Sequence, residues 1–197
     1  MTDRQIEVAR LVSTALTPFS VAAIISVVFS WFSPIGNGRA LSPPLSTLIG
    51  FLTLSIGPLL PVAHNARRDR SDIDISDISG RIPLYGLGLM SYGVGVVIFF
   101  VFGNWLMFVM ALAYLCVGLT MLAITFVWKI SAHTAGIAGP TTALAFVLGV
   151  WILPLYVLSI VMIWARVKLR AHTLAQAVGG FIVALAVTSF VYYAFYL

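Results

Sequence analysis

One short stretch of this chain, Arg166 to Gln176, combines residue types that could act on a phosphate group. It holds three cations and the imidazole of His172 within seven residues, although only 9% of the chain is charged. Arginine binds phosphate through a planar fork that stays charged, and an imidazole can act as a base or an acid. A helix beginning near Ala171 would place His172 and Gln176 on one face, a turn apart. The stretch predicts an anion site, or else a basic membrane-surface loop that only sets topology.

A second polar stretch, Lys129 to Pro140, joins two apolar runs and also contains a histidine. Ser131 is predicted to cap the helix that follows, which places His133 in the first turn. The start of a helix offers unpaired N–H groups and a positive dipole end, and both attract phosphate. The alternative is a capping serine beside a histidine at the membrane surface.

The third stretch, from Asp72 to Pro83, is mostly acidic and ends with Arg81. Its acidic residues are Asp72, Asp74 and Asp77. Arg81 comes immediately before an apolar run, so we expect it to be held at the membrane surface.

Composition places these stretches in a membrane protein. The 197 residues are 61% hydrophobic, with a mean hydropathy of +1.07, whereas soluble domains are about half apolar and a quarter charged. We therefore predict a single integral membrane domain over residues 1–197. The formal charge of +5 lies beside apolar runs, so no nucleic-acid partner is expected. The one cysteine, Cys116, excludes an internal disulfide.

The apolar runs predict an all-α bundle of about seven spans. These lie near 9–32, 43–64, 83–102, 105–128, 132–150, 151–166 and 172–197. The region 132–166 could instead be one helix, which would leave six spans. Seven spans place every lysine and arginine except Arg39 on one face. The positive-inside rule makes that face cytoplasmic, and we expect the protein in the cell membrane.

In order along the chain, the three stretches resemble the motifs of the type-2 phosphatidic acid phosphatase superfamily of membrane lipid phosphatases. The family motifs are K-x6-R-P, P-S-G-H and S-R-x5-H-x3-D. The residues that carry the resemblance are Arg81 and Pro83, Ile130 to His133, and Ala165, Arg166, His172 and Gln176. It covers a phosphatase-like core of about residues 65–197.

The resemblance implies hydrolysis of a phosphate or diphosphate on a prenyl lipid or glycerolipid, without a metal or other cofactor. His172 would be the nucleophile and form a phosphohistidine, and His133 would protonate the leaving oxygen. The residues implied to hold the phosphate oxygens are Arg81, Arg166 and Ser131.

The sequence departs from the family motifs at several positions. Asp74 stands where the family has lysine, so another cation, Lys129 or Arg70, would have to replace it. Ala132 and Ala165 replace glycine and serine. Gln176 replaces the aspartate that orients the nucleophile; its carbonyl can accept from the imidazole N–H but supplies no charge.

Three other interpretations use the same residues differently. Asp72, Asp74 and Asp77 could bind magnesium in a prenyl- or alcohol-phosphotransferase. His64, His133 and His172 could hold a metal ion. The chain could also be a catalytically inactive membrane protein or a transporter, although a transporter predicts polar residues in mid-span and these spans carry few.

Overall fold

The structure, a computed structural model, describes residues 3–38, 40–69 and 78–197. Every regular element in these ranges is helical, which confirms the predicted all-α class. The helices are α1 (Asp3–Ala15), α2 (Pro18–Trp31), α3 (Pro43–Gly50), α4 (Gly57–Asp69), α5 (Ile78–Val101), α6 (Trp105–Thr125), α7 (Ala132–Leu148), α8 (Tyr156–Lys168) and α9 (Leu174–Phe195). A π-helical segment, Phe51–Ile56, joins α3 to α4, and a 3-10 segment, Val150–Leu155, precedes α8.

Several of these helices are long and apolar enough to cross a membrane. Four continuous stretches meet this condition: Pro43–Asn65, Trp105–Thr125, Val150–Lys168 and Leu174–Phe195. The pair α1 and α2, bent by 46° where they meet, is a candidate for a fifth. Two shorter apolar helices, Tyr85–Val101 and Ala132–Leu148, complete the set of predicted segments. The structure thus has the apolar helices that an integral membrane bundle requires.

Two hydrogen bonds at one end of the bundle bring together the start of α3, the α5–α6 turn and the end of α9. Asn104, in the turn between α5 and α6, donates a hydrogen bond to Ser46 at the start of α3 (2.8 Å). Trp105 donates to the carbonyl of Phe195 at the end of α9 (2.8 Å). The C-terminal end of α9 therefore lies beside the α5–α6 turn, at the end of the bundle away from the two histidines.

The ambiguous region 132–166 forms two helices. α7 ends at Gly149, whose φ of +90° lies in the region that favours glycine. The chain then folds back, and Tyr156 at the start of α8 pairs with Thr142 of α7 through their hydroxyls (2.7 Å). The interpretation with two short helices over 132–166 is confirmed. Of the seven predicted spans, four correspond to helices long and apolar enough to cross a membrane, and the bent pair α1 and α2 would make a fifth.

Helices α7 and α9 approach closely because small residues line their contact. Gly180, Ala184 and Thr188 repeat every fourth residue on α9, a spacing that lets membrane helices come together. A Cβ added to Gly180 would lie 2.5 Å from Thr134 Oγ1 and closer still to the carbonyl of Ser131. Only glycine fits this position without a shift of the neighbouring helix.

Two hydrogen bonds fix the start of α7 against the start of α9. The N–H of Ser131 donates to the carbonyl of Gln176 (3.2 Å), and the hydroxyl of Thr134 donates to the carbonyl of Ala177 (2.8 Å). The two chain segments that carry histidines are thereby held side by side.

Replacing Gly180 with alanine tests this close approach. We expect Gly180→Ala to lower the free energy of unfolding by about 1–3 kcal/mol, because the added methyl group overpacks the α7–α9 contact. The matched control is Gly93→Ala in α5, where an added Cβ meets no atom within 4 Å. That change should leave stability unchanged or raise it by up to about 1 kcal/mol, since alanine favours helix. The free energy of unfolding of each purified variant would be measured in detergent. Equal losses of stability in the two variants would contradict the close approach of α7 and α9.

Candidate functional site

His172 lies in a five-residue loop whose backbone is fixed by the end of α8. The N–H groups of Arg170 and Ala171 donate to the carbonyls of Val167 and Arg166 (3.0 and 3.1 Å), the pattern of a Schellman cap. Arg170 has a φ of +55°, as the left-handed position of that cap requires. The N–H of His172 also donates to the carbonyl of Arg166 (3.3 Å). The backbone of His172 is therefore tied to the last turn of α8.

The C-terminal end of this loop is held by a capping box at the start of α9. Thr173 Oγ1 accepts from the N–H of Gln176 (3.3 Å), and Gln176 Oε1 accepts from the N–H of Thr173 (3.0 Å). The predicted helix start near Ala171 is wrong, because the Thr173 cap sets the first helical residue at Leu174. His172 consequently precedes the helix and does not share a helical face with Gln176. The structure gives Gln176 a capping role, and its predicted contact with the imidazole stays a prediction.

His133 occupies the position expected for it. Ser131 is the N-cap of α7, and its hydroxyl accepts from the N–H of Thr134 (3.5 Å), which confirms the predicted cap. His133 is the second residue of α7, and its side chain is partly exposed. The imidazole thus lies at the positive end of the helix dipole, where an anion is favoured.

Both histidines line the same cavity. This cavity has a volume of about 210 Å³ and is enclosed by residues from α2, α4, α5, α6, α7 and α9 together with His172. His172 is only 6% exposed, whereas His133 is partly open. The structure therefore places both histidines of the sequence-predicted site in the wall of one cavity.

Away from the histidines the cavity wall is mainly apolar. Its lining on α7 extends from Ala132 to Pro140, roughly 12 Å along the helix at about 1.5 Å per residue. The lining contributed by α5 and α6 includes three tyrosines and two methionines, which are Tyr85, Tyr92, Tyr114, Met110 and Met121. The arrangement offers a polar end with two imidazoles and an apolar interior that could hold a hydrocarbon chain.

The described side chains among the predicted phosphate-binding residues, those of Arg166, Ser131 and Lys129, do not line the cavity. Arg166, in the last turn of α8, is 3% exposed, and its Nη1 donates to Ser13 Oγ of α1 (2.8 Å). Ser131 is fully buried, and Lys129 is partly exposed in the loop before α7. The local charge nevertheless favours an anion, because Lys129 precedes His133 by four residues and Arg166, Lys168 and Arg170 all lie within the six residues before His172.

Several predicted residues fall outside what the structure describes. They are the aspartates Asp72, Asp74 and Asp77, the side chain of Arg81, and Arg39. Within the described ranges, no group of three His, Cys, Asp or Glu side chains could hold a metal ion. The suggested metal site of His64, His133 and His172 is therefore not formed, and His64 is not among the described residues of the cavity wall.

The N-terminal region contributes residues that the sequence interpretation missed. Thr17, Pro18 and Phe19, at the bend between α1 and α2, line the cavity. Pro18 packs on α7 so closely that a Cβ added to Gly136 would lie 2.6 Å from it. The only signal in the sequence was Pro18, which interrupts the first apolar run. A proline indicates a break in a helix but does not show which helix packs against it.

Comparison with known proteins does not place the chain. No known protein family, no curated protein and no solved structure matches it.

Proposed function

We propose that this protein is a membrane lipid phosphatase that hydrolyses a phosphate or diphosphate monoester of a lipid. The observation that carries the proposal is the cavity, with His133 and His172 at one end and an apolar interior. A lipid phosphate has the same division into a charged head and a hydrocarbon chain. The basic residues beside the histidines suit the head, and the apolar wall suits the chain.

The proposed reaction transfers the phosphoryl group twice. The imidazole of His172 attacks phosphorus, and a P–N bond forms as the P–O bond to the lipid breaks. His133 gives its proton to the departing oxygen, so the lipid leaves as a neutral alcohol or as a monophosphate. Water then attacks phosphorus, His133 takes a proton from it, and the P–N bond breaks to release phosphate. Arg166, with Arg81, Lys129 and Ser131, would stabilise the negative charge on the phosphoryl oxygens.

A magnesium-dependent phosphotransferase using Asp72, Asp74 and Asp77 is the second candidate, and chelation separates the two. We expect purified protein in detergent to release phosphate from a panel of prenyl and glycerolipid mono- and diphosphates in the presence of EDTA. His172→Ala should abolish turnover because the nucleophile is lost. His133→Ala should slow hydrolysis most for substrates with poor leaving groups, because a departing oxygen that is already stable needs less protonation.

His64→Ala is the matched control, since it removes a histidine that is not among the described residues of the cavity wall, and it should retain activity. Activity lost with EDTA would favour the aspartate cluster. Near-normal hydrolysis by a folded His172→Ala variant would contradict the histidine mechanism.

We further propose that the histidine face is cytoplasmic in the cell membrane. The support is the excess of lysine and arginine at the segment ends on that face. Reporter tags should therefore place the N-terminus in the cytoplasm and the C-terminus outside. An external N-terminus with a cytoplasmic C-terminus would overturn the orientation. Both termini on the same side of the membrane would overturn the odd number of spans.

A further inference from the structure

The buried contact between Arg166 and Ser13 joins the C-terminal site to the N-terminal helix. Arg166 is 3% exposed and Ser13 is 7% exposed, and Nη1 lies 2.8 Å from the serine oxygen. The two residues are 153 positions apart in the chain. Burying a guanidinium is costly unless its donors are bonded, so the serine hydroxyl is part of what keeps the arginine in this place.

This contact occurs where the N-terminal region already meets the cavity. Ser13 lies about one helical turn before Thr17, Pro18 and Phe19, which line the cavity wall. On the other side, the carbonyl of Arg166 accepts from the N–H of His172 (3.3 Å). Arg166 thus connects the segment that carries one cavity histidine to the helix that leads into the cavity wall.

We infer that Ser13 is a positioning residue for the phosphate site, acting by fixing the plane of the Arg166 guanidinium. The guanidinium is rigid and planar, so holding one nitrogen orients the other two. A phosphate bound beside His172 would then meet an arginine whose orientation is already set. The inference rests on the proposed function, and it extends the site beyond residues 65–197 to α1.

Ser13→Ala should weaken the binding of inorganic phosphate, the reaction product, by roughly 10-fold, as expected for loss of one hydrogen bond to a charged group. For a lipid phosphate, KM should rise by about the same factor with little change in kcat, because the arginine binds substrate and transition state alike. Ser13→Thr keeps the hydroxyl and should restore phosphate binding. Thr14→Ala, which removes the neighbouring exposed hydroxyl, should change neither quantity.

Calorimetric titration with inorganic phosphate, beside steady-state kinetics and thermal unfolding, separates the outcomes. If Ser13 has a purely structural role, Ser13→Ala will lower the unfolding temperature but leave phosphate affinity and KM unchanged. That result would overturn the inference but not the proposed function. Weaker phosphate binding by Ser13→Ala, in a protein that hydrolyses no lipid phosphate, would support the positioning and overturn the proposed function. A wild-type protein that neither hydrolyses lipid phosphates nor binds phosphate would overturn both.

Discussion

The docking of the first turn of α7 onto the first turn of α9 is the contact on which the rest of the site depends. Backbone and hydroxyl donors of Ser131 and Thr134 pair with carbonyls of α9, and Gly180 leaves the space for this approach. The first N–H groups of a helix have no partner within it, and they are costly if left unpaired where no water reaches them. Satisfying them in this way also places His133 beside the loop that carries His172.

Glycine and proline residues contribute part of the cavity wall beside its aromatic and aliphatic side chains. Glycines of α5, α6 and α7 and prolines of α2, α4 and α7 are among the residues that line it. Such residues let helices approach at some points and leave space at others. The result is an apolar chamber ending at two imidazoles, which suits a ligand with a hydrocarbon chain and an anionic head.

Local patterns were enough to predict the helical segments and the Ser131 cap. The distribution of lysine and arginine between the two faces favoured two helices over 132–166. Local patterns failed at the start of α9, where two local interpretations competed. The spacing of His172 and Gln176 suggested one helical face, but Thr173 and Gln176 also form a capping box, and the box determines the first turn. Ser13 could not be assigned to the site from sequence, because its partner Arg166 is distant in the chain and no local periodicity connects them.

Trapping the covalent intermediate tests the proposed mechanism most directly. Purified protein would be mixed with a lipid phosphate labelled at phosphorus and quenched in alkaline denaturant, and its peptides would be mapped by mass spectrometry. The mechanism predicts label on His172, absent from His172→Ala and retained in His64→Ala. Sustained hydrolysis with no labelled histidine, or with label on another residue, would contradict it.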